Sequence, residues 1–364
     1  MTEPFVRPMF YMPFASGGVH PHCDMAREHT KVWARTMGLF DPEYEELSDG
    51  AWSEARCIAA DIPKFAAMTT PDVAPAELEL GADWHTATWF FDDVFLPGCL
   101  KSGDRADTRA RLDRLLAFMP VRPQMPPLLP NNALERCLTD LWARSAWRMS
   151  EDWRRRITGA WRTYFAGSLW EVDNLQRERH PDYIDYFQMR RDFGAAGIAA
   201  ALLEMACGTE IRQDVYDSQP FQALFQAYRD LADLNNDVVS YAKDEASGET
   251  ANNAVNALQR QLGCSLQQAA DLTNDLMTSR VHTLQTAADE DLPALLHERG
   301  TSRHEQQQIA RYIRALQTWL AGSYDWHETT ARYGAPAAGL HLPTGLGTSA
   351  ARCLQNLHLS GARR

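Results

Sequence analysis

The 364-residue chain predicts an all-α protein, and three observations carry that reading. Apolar residues recur at intervals of three and four over long stretches; no stretch alternates as a half-buried strand would; Pro- and Gly-rich breaks cut the periodic runs into helix-sized pieces. No hairpin dipeptide lies between β-branched runs, and no internal repeat is detectable, so the helices are expected to form one domain.

Taken in order, residues 1–22 are rich in Pro, Gly and aromatics and read as an extended arm. Helical spacing starts after Asp24 with Met25, Val32, Trp33 and Met37. Helices are then expected over roughly 52–68, 78–97, 105–118, 132–148, 150–176, 181–207, 220–246, 251–287 and 303–333, with breaks at 120–130, Pro181, Gly208, Gly248 and Gly263. One helical domain over 23–335 is expected, followed by a Gly- and Ala-rich tail over 336–364 that reads as disordered or as an accessory cap.

Composition limits the function. Hydrophobic residues make up 45% and charged ones 23%, which suits a globular protein with a sizeable core. The formal charge of −12 argues against a broad basic surface for nucleic acid or acidic lipid, so a polyanionic ligand would need cations supplied locally by a few Arg and Lys or by metal. Seven Cys, an odd number without a CxxC pair, fit reduced thiols better than a disulfide framework or zinc site. With no signal-peptide pattern at the start and no run of 18 apolar residues, the expected location is the cytoplasm, away from membranes.

Two groups of residues point to chemistry. Asp92 and Asp93 sit between Trp89-Phe90-Phe91 and Val94-Phe95-Leu96. Adjacent carboxylates in such surroundings repel each other and lose hydration, so they call for cations or metal; otherwise the helix ends at Pro97-Gly98 and they meet water. Asn236, Ser240 and Asp244 are spaced by four and four, which on a helix puts an amide oxygen, a hydroxyl and a carboxylate on one face. Such oxygen donors suit Mg²⁺, which usually shares its shell with water and substrate phosphate. A solvated polar stripe is the plainer alternative, but Ala232, Val239 and Ala242 give the helix other, apolar faces.

Together, Phe90-Phe91-Asp92-Asp93-Val94-Phe95-Leu96 and Asn236-Asp237-Val-Val-Ser240-Tyr-Ala-Lys243-Asp244 resemble the two metal motifs of bacterial class I terpene synthases. The segments PFVRPMFYMP, REHTKVWARTMG, MSEDWRRR and NDVVSY are similar to the N-terminal domain of germacradienol/geosmin synthases, and the likeness runs from about residue 4 to 335. No second cyclase domain is read in these residues, and the steps such a domain performs are not expected. The resemblance implies a bundle of helices around an apolar cavity, with Asp92, Asn236, Ser240 and Asp244 holding three Mg²⁺ ions around a substrate diphosphate and Asp93 beside them in the catalytic set. It further implies that Arg190, in Met189-Arg190-Arg191-Asp192-Phe193-Gly194 and 46 residues before Asn236, senses the diphosphate. Lys243, Arg332 and Tyr333 would contact the same group, and Gly194 would line its site. Guanidinium groups suit such contacts because they bind phosphate oxygens in pairs. Homodimers are common in the family.

The implied reaction is loss of diphosphate from a prenyl diphosphate followed by cyclisation of the cation, with farnesyl diphosphate as first choice of substrate. A geranylgeranyl substrate or a catalytically silent diphosphate-binding module are the alternatives. Such chemistry needs a dry cavity whose aromatic faces stabilise positive charge without offering a nucleophile. Trp89 and Trp326 are the expected lining residues, with Phe90 and Phe193 as further candidates for the same substrate-binding wall; ordinary core packing accounts for all four at least as well. The chain departs from the family in two places. Phe95, Leu96 and Pro97 stand where the first motif usually has a further acid, and Phe193 stands where many relatives have Asp or Thr. A chain-elongating prenyltransferase would carry two Asp-rich motifs, and a di-iron bundle would need Glu-x-x-His, which is absent.

Overall fold

The computed structural model describes residues 5–48, 50, 52–101, 105–122, 128–177, 179–247 and 252–330. Among them all regular structure is helical. The order is α1 (Cys23–Met37), α2 (Pro42–Leu47), α3 (Glu54–Ala60), α4 (Ile62–Thr69) and α5 (Pro75–Phe90), then a π-helical turn (Phe91–Phe95) leading into α6 (Leu96–Lys101). Next come α7 (Arg105–Leu116), α8 (Ala133–Ser145), α9 (Glu151–Gln176), α10 (Tyr183–Phe193), α11 (Ala196–Ala206) and α12 (Gln213–Tyr216). The last are α13 (Gln219–Ser247), α14 (Ala254–Leu262), α15 (Leu266–Thr286), α16 (Leu292–Glu298) and α17 (Arg303–Thr329).

The boundaries follow local chemistry. Helix α1 stops at Gly38, whose φ of 76° suits a residue without Cβ. Helices α15 and α17 start with capping boxes, Ser265 with Gln268 and Ser302 with Glu305, which satisfy otherwise unpaired N–H groups. The expected helix over 52–68 is two helices, because Asp61 turns the chain with φ 53° between α3 and α4. Arg27 holds that carboxylate through Nε and Nη2 at 2.9 and 2.6 Å.

Two other expected helices are also revised. The 181–207 stretch breaks at Gly194–Ala195 into α10 and α11, and the 78–97 stretch does not end at Pro97-Gly98. It widens into the π turn and passes directly into α6, so helical structure runs on through Pro97. The short helices α2, α12 and α16 lie outside the expected set.

Helix α13 packs against α10, α11, α14, α15 and α17, so it is the axis of the bundle. One core runs through the molecule and takes up large aromatics completely, among them Trp84, Trp89, Trp153, Trp161 and Trp326. The described arm residues before Cys23 form no helix. They cross α15 and α17: Val6 exchanges two hydrogen bonds with the Gln267 side chain (2.9 and 3.0 Å), and the Met9 carbonyl accepts one from Asn274. Phe5 is buried against Tyr241, and Phe10 is half-buried against Tyr324.

Candidate active site

A cavity of about 680 Å³, counting its open mouth, lies among α4, α5, α11, α13 and α17. Its wall is aromatic around Phe65, whose ring centroid lies 5.9 Å from Trp89, 5.7 Å from Trp319 and 5.1 Å from Trp326. Trp89 and Trp326 meet at 5.5 Å, so two residues 237 positions apart in sequence form one surface. Ile198, Ala199 and Leu202 of α11 supply the aliphatic side. Arg190, Asp233, Asn236 and His327 make the opposite end polar.

Arg190 organises that end. Its Nε donates to Asp237 Oδ1 and its Nη2 to Asn236 Oδ1, each at 3.0 Å, and the guanidinium lies 5.0 Å from the centre of the Phe193 ring. Burial opposes its charge, but the carboxylates of Asp237 and Asp233 more than offset this and hold its pKa above the usual value. Asp237 also accepts from the Tyr186 hydroxyl at 2.6 Å and the Ala254 N–H at 3.1 Å, so it anchors the arginine instead of facing the cavity. Phe193 stacks on Trp170 at 6.2 Å and supports the guanidinium from beneath; it is absent from the cavity wall, contrary to its expected place there.

Gly194 does line the cavity, and an added Cβ would lie 2.5 Å from the Asp233 carboxylate carbon. Asp233 Oδ2 is buried without a hydrogen bond. Desolvation pushes this carboxyl up to about 7 against the pull of Arg190 and Arg229. His327 Nδ1 lies 2.7 Å from the Ser323 carbonyl and so carries the hydrogen, leaving Nε2 as the acceptor 3.4 Å from the Asn236 amide nitrogen.

Asn236, Ser240 and Asp244 all lie on the unbroken helix α13. Ser240 Oγ donates to Asp244 Oδ2 at 2.7 Å, Asn253 donates to the same oxygen at 3.2 Å, and Ser240 and Asp244 are each only 2% exposed. Burial of a carboxylate beside a hydroxyl, with the Asn236 amide one turn before that hydroxyl on the same helix, suits a hard divalent cation. Among the described residues no three His, Cys, Asp or Glu side chains converge, so a metal held by these residues must use the neutral oxygens of Asn236 and Ser240 as well. The Asn236 amide oxygen already serves Arg190, so a cation there would compete with the arginine for it.

Asp92 and Asp93 are both buried, at 1% and 2% exposure, because the wide π turn carries both inward; such turns recur at functional positions. Asp92 Oδ1 accepts a hydrogen bond from Tyr164 at 3.1 Å, and burial, with Asp92 nearby, keeps that phenol protonated. Neither aspartate is on the cavity wall described above. Phe90 is a correction: it packs edge-to-face on Tyr44 and Trp52 at 5.0 and 5.3 Å and is not in the wall. On a helix it projects about 100° from Trp89, so only one of the pair can face the cavity. The Lys243 side chain, Arg332 and Tyr333 lie outside the described residues.

Sequence reasoning did not single out Phe65, Trp319, His85, Asp233 or His327. Trp319 had a signal, since it precedes Trp326 by seven residues, two helical turns on one face. The others depend on which helices pack together.

Residues 83–283, more than half of the chain, match the family described as terpene synthase family 2, C-terminal metal binding. Pentalenene synthase of Streptomyces avermitilis is 29% identical over 337 residues, covering 90% of this chain and 94% of that protein. The (+)-T-muurolol synthase of Roseiflexus castenholzii, described as cyclising (2E,6E)-farnesyl diphosphate, is 29% identical over 88% and 92% of the two chains. Pristinol synthase of Streptomyces pristinaespiralis is 26% identical over 86% and 82%. Among solved structures, α-eudesmol synthase superposes with a TM-score of 0.76 at 23% identity, covering 89% of this chain and 99% of that one. A linalool/nerolidol synthase from Streptomyces clavuligerus gives 0.73 at 23% identity, over 88% and 100%. Match, helical fold and metal-type donor stripe agree, and the chain belongs to terpene synthase family 2 as an enzyme of the bacterial class I type.

Proposed function

We propose that this enzyme ionises farnesyl diphosphate with magnesium and cyclises the resulting cation to a sesquiterpene hydrocarbon or alcohol, releasing diphosphate. The observation that carries the reading is the join at Arg190 and Asn236, where a buried cation and an oxygen donor stand at the polar end of an otherwise aromatic cavity. Relatives whose names specify the (2E,6E)-farnesyl substrate favour the fifteen-carbon chain.

Asp92 on one side, and Asn236, Ser240 and Asp244 on the other, are the residues we assign to the metal, with three ions as the family resemblance implies. Bound magnesium would neutralise charge on the departing diphosphate. Arg190 donates to the diphosphate oxygens, exchanging its bonds to Asn236 for them, while Asp237 and Phe193 keep the guanidinium in place. Lys243, Arg332 and Tyr333 are assigned to the same group by resemblance. Trp89, Trp326 and Phe65 present π faces to the cation, each contributing about 0.5–2 kcal/mol without capturing it. Ile198 and Leu202 keep water out. The enzyme acts from residue 23 to about 335 as one catalytic unit, in the cytoplasm; no described helix is long and apolar enough to cross a membrane.

The test is incubation of the purified enzyme with farnesyl and geranylgeranyl diphosphate, with Mg²⁺ or chelator, followed by mass-spectrometric analysis of volatiles. A magnesium-dependent cyclic fifteen-carbon product, lost in Asn236→Ala, supports the reading. Release of only linear alcohols, or tight diphosphate binding without turnover, overturns it.

A further inference from the structure

The wall of the cavity holds one group with no part in the mechanism so far. His85 lies on α5 one turn before Trp89 and lines the same space. Its ring stands edge-to-face against Phe65, with centroids 5.0 Å apart and planes at 84°, so it takes its place in the aromatic wall among Trp89, Trp319 and Trp326. Among the described residues neither ring nitrogen makes a hydrogen bond. In this it differs from His327, whose Nδ1 is engaged by Ser323 and whose Nε2 faces Asn236 at the polar end. Burial alone pushes the His85 imidazole down to about 4, so it is uncharged at neutral pH.

A cyclase wall built only to cradle a cation would use another phenyl or indole here. An uncharged imidazole adds what those rings lack: a basic nitrogen, held in the aromatic part of the cavity away from the diphosphate end. We propose that His85 is the proton acceptor that ends the cation chemistry in this cavity. A C–H bond next to the cationic carbon breaks, its electron pair becomes the new C=C bond, and the proton goes to the imidazole lone pair, leaving an imidazolium. The low basicity of the ring is no obstacle, because a proton beside a carbocation is far more acidic than an imidazolium. The imidazolium, unstable in an apolar pocket, gives its proton to water when the cavity opens to release product.

This inference rests on the cyclase reading, and the experiment separates the two. Parent, His85→Phe and His85→Gln enzymes are incubated with farnesyl diphosphate and Mg²⁺, and products are counted per diphosphate released, whatever the rate. Absence of diphosphate release from the parent overturns the cyclase reading itself. If the parent turns over, loss of the basic nitrogen is expected to reduce the parent's main olefin at least fivefold per diphosphate released, in favour of water-captured alcohols or olefins with a shifted double bond. Phe keeps a ring and Gln keeps polarity, and neither has a basic nitrogen, so the same redistribution in both identifies the imidazole nitrogen as the acceptor. An unchanged olefin pattern in either variant, or a parent that makes only alcohols, overturns the assignment.

Discussion

Replacing Asp233 with asparagine removes a charge while nearly conserving shape, and the structure sets the size and sign of the effect. The carboxyl lies against Gly194, only 5% exposed, and desolvation raises its pKa from 3.8 to about 7 despite Arg190 and Arg229; Asp237 and Asp230 add to the rise. Between those values the folded protein keeps a proton that the unfolded chain has released. Stability therefore falls as pH rises through this window, the penalty being absent below about 4 and complete above about 7. At roughly 1.4 kcal/mol per unit, a shift of about three units corresponds to an upper bound of roughly 4 kcal/mol. The asparagine variant carries no such penalty. It is expected to exceed the parent in stability at pH 8 and to match it near pH 4. Urea denaturation followed by far-UV circular dichroism at pH 4, 6 and 8 measures the gap. A gap independent of pH would show that Asp233 is ionised throughout and would refute the reasoning.

Other expectations follow from the same geometry. Gly194→Ala puts a methyl group into the Asp233 carboxylate and is expected to cost about 1–3 kcal/mol, seen as a lower Tm. Asp83 is completely buried and accepts from His29 at 2.9 Å, Thr30 at 3.0 Å and Arg144 at 2.8 Å, so Asp83→Asn should cost about 3–5 kcal/mol by chemical denaturation. The same hydrogen bond raises the pKa of His29. The stability it adds is therefore present below the unfolded value of 6.5 and lost as pH rises through the folded one, so the deficit of the variant should narrow above neutrality. Tyr164→Phe deletes a hydrogen bond to Asp92 and is expected to raise the magnesium concentration for half-maximal diphosphate release severalfold, read by titration.

What the sequence made legible depended on whether a feature lies within one helix. The stripe Asn236, Ser240, Asp244 needed only that α13 run unbroken, and it does. The Trp89–Trp326 pair was expected as lining, although nothing in the sequence shows that the two rings touch. The break at Gly194–Ala195 stayed hidden because the alanine-rich run after it has high helix propensity and reads as a continuation. The π turn was hidden for a different reason: its hydrogen bonds shift by one residue without changing the apolar pattern. Phe90 shows the limit of proximity in sequence, since its neighbour faces the cavity while it packs against Tyr44. Asp237 lay inside the second motif, but its role as the anchor of Arg190 required α10 and α13 to be side by side.

The arm across α15 and α17 bears on how the chain assembles. Val6 finds Gln267 and Arg7 finds Glu328, contacts spanning 261 and 321 positions. During synthesis residues 6 and 7 thus wait for α15 and α17, far downstream, before they can dock. Closing so long a loop early would cost entropy with little to reward it, so the arm should settle late and detach early under denaturant. It works as a latch on a finished bundle, and its release is the natural first step of unfolding at this face.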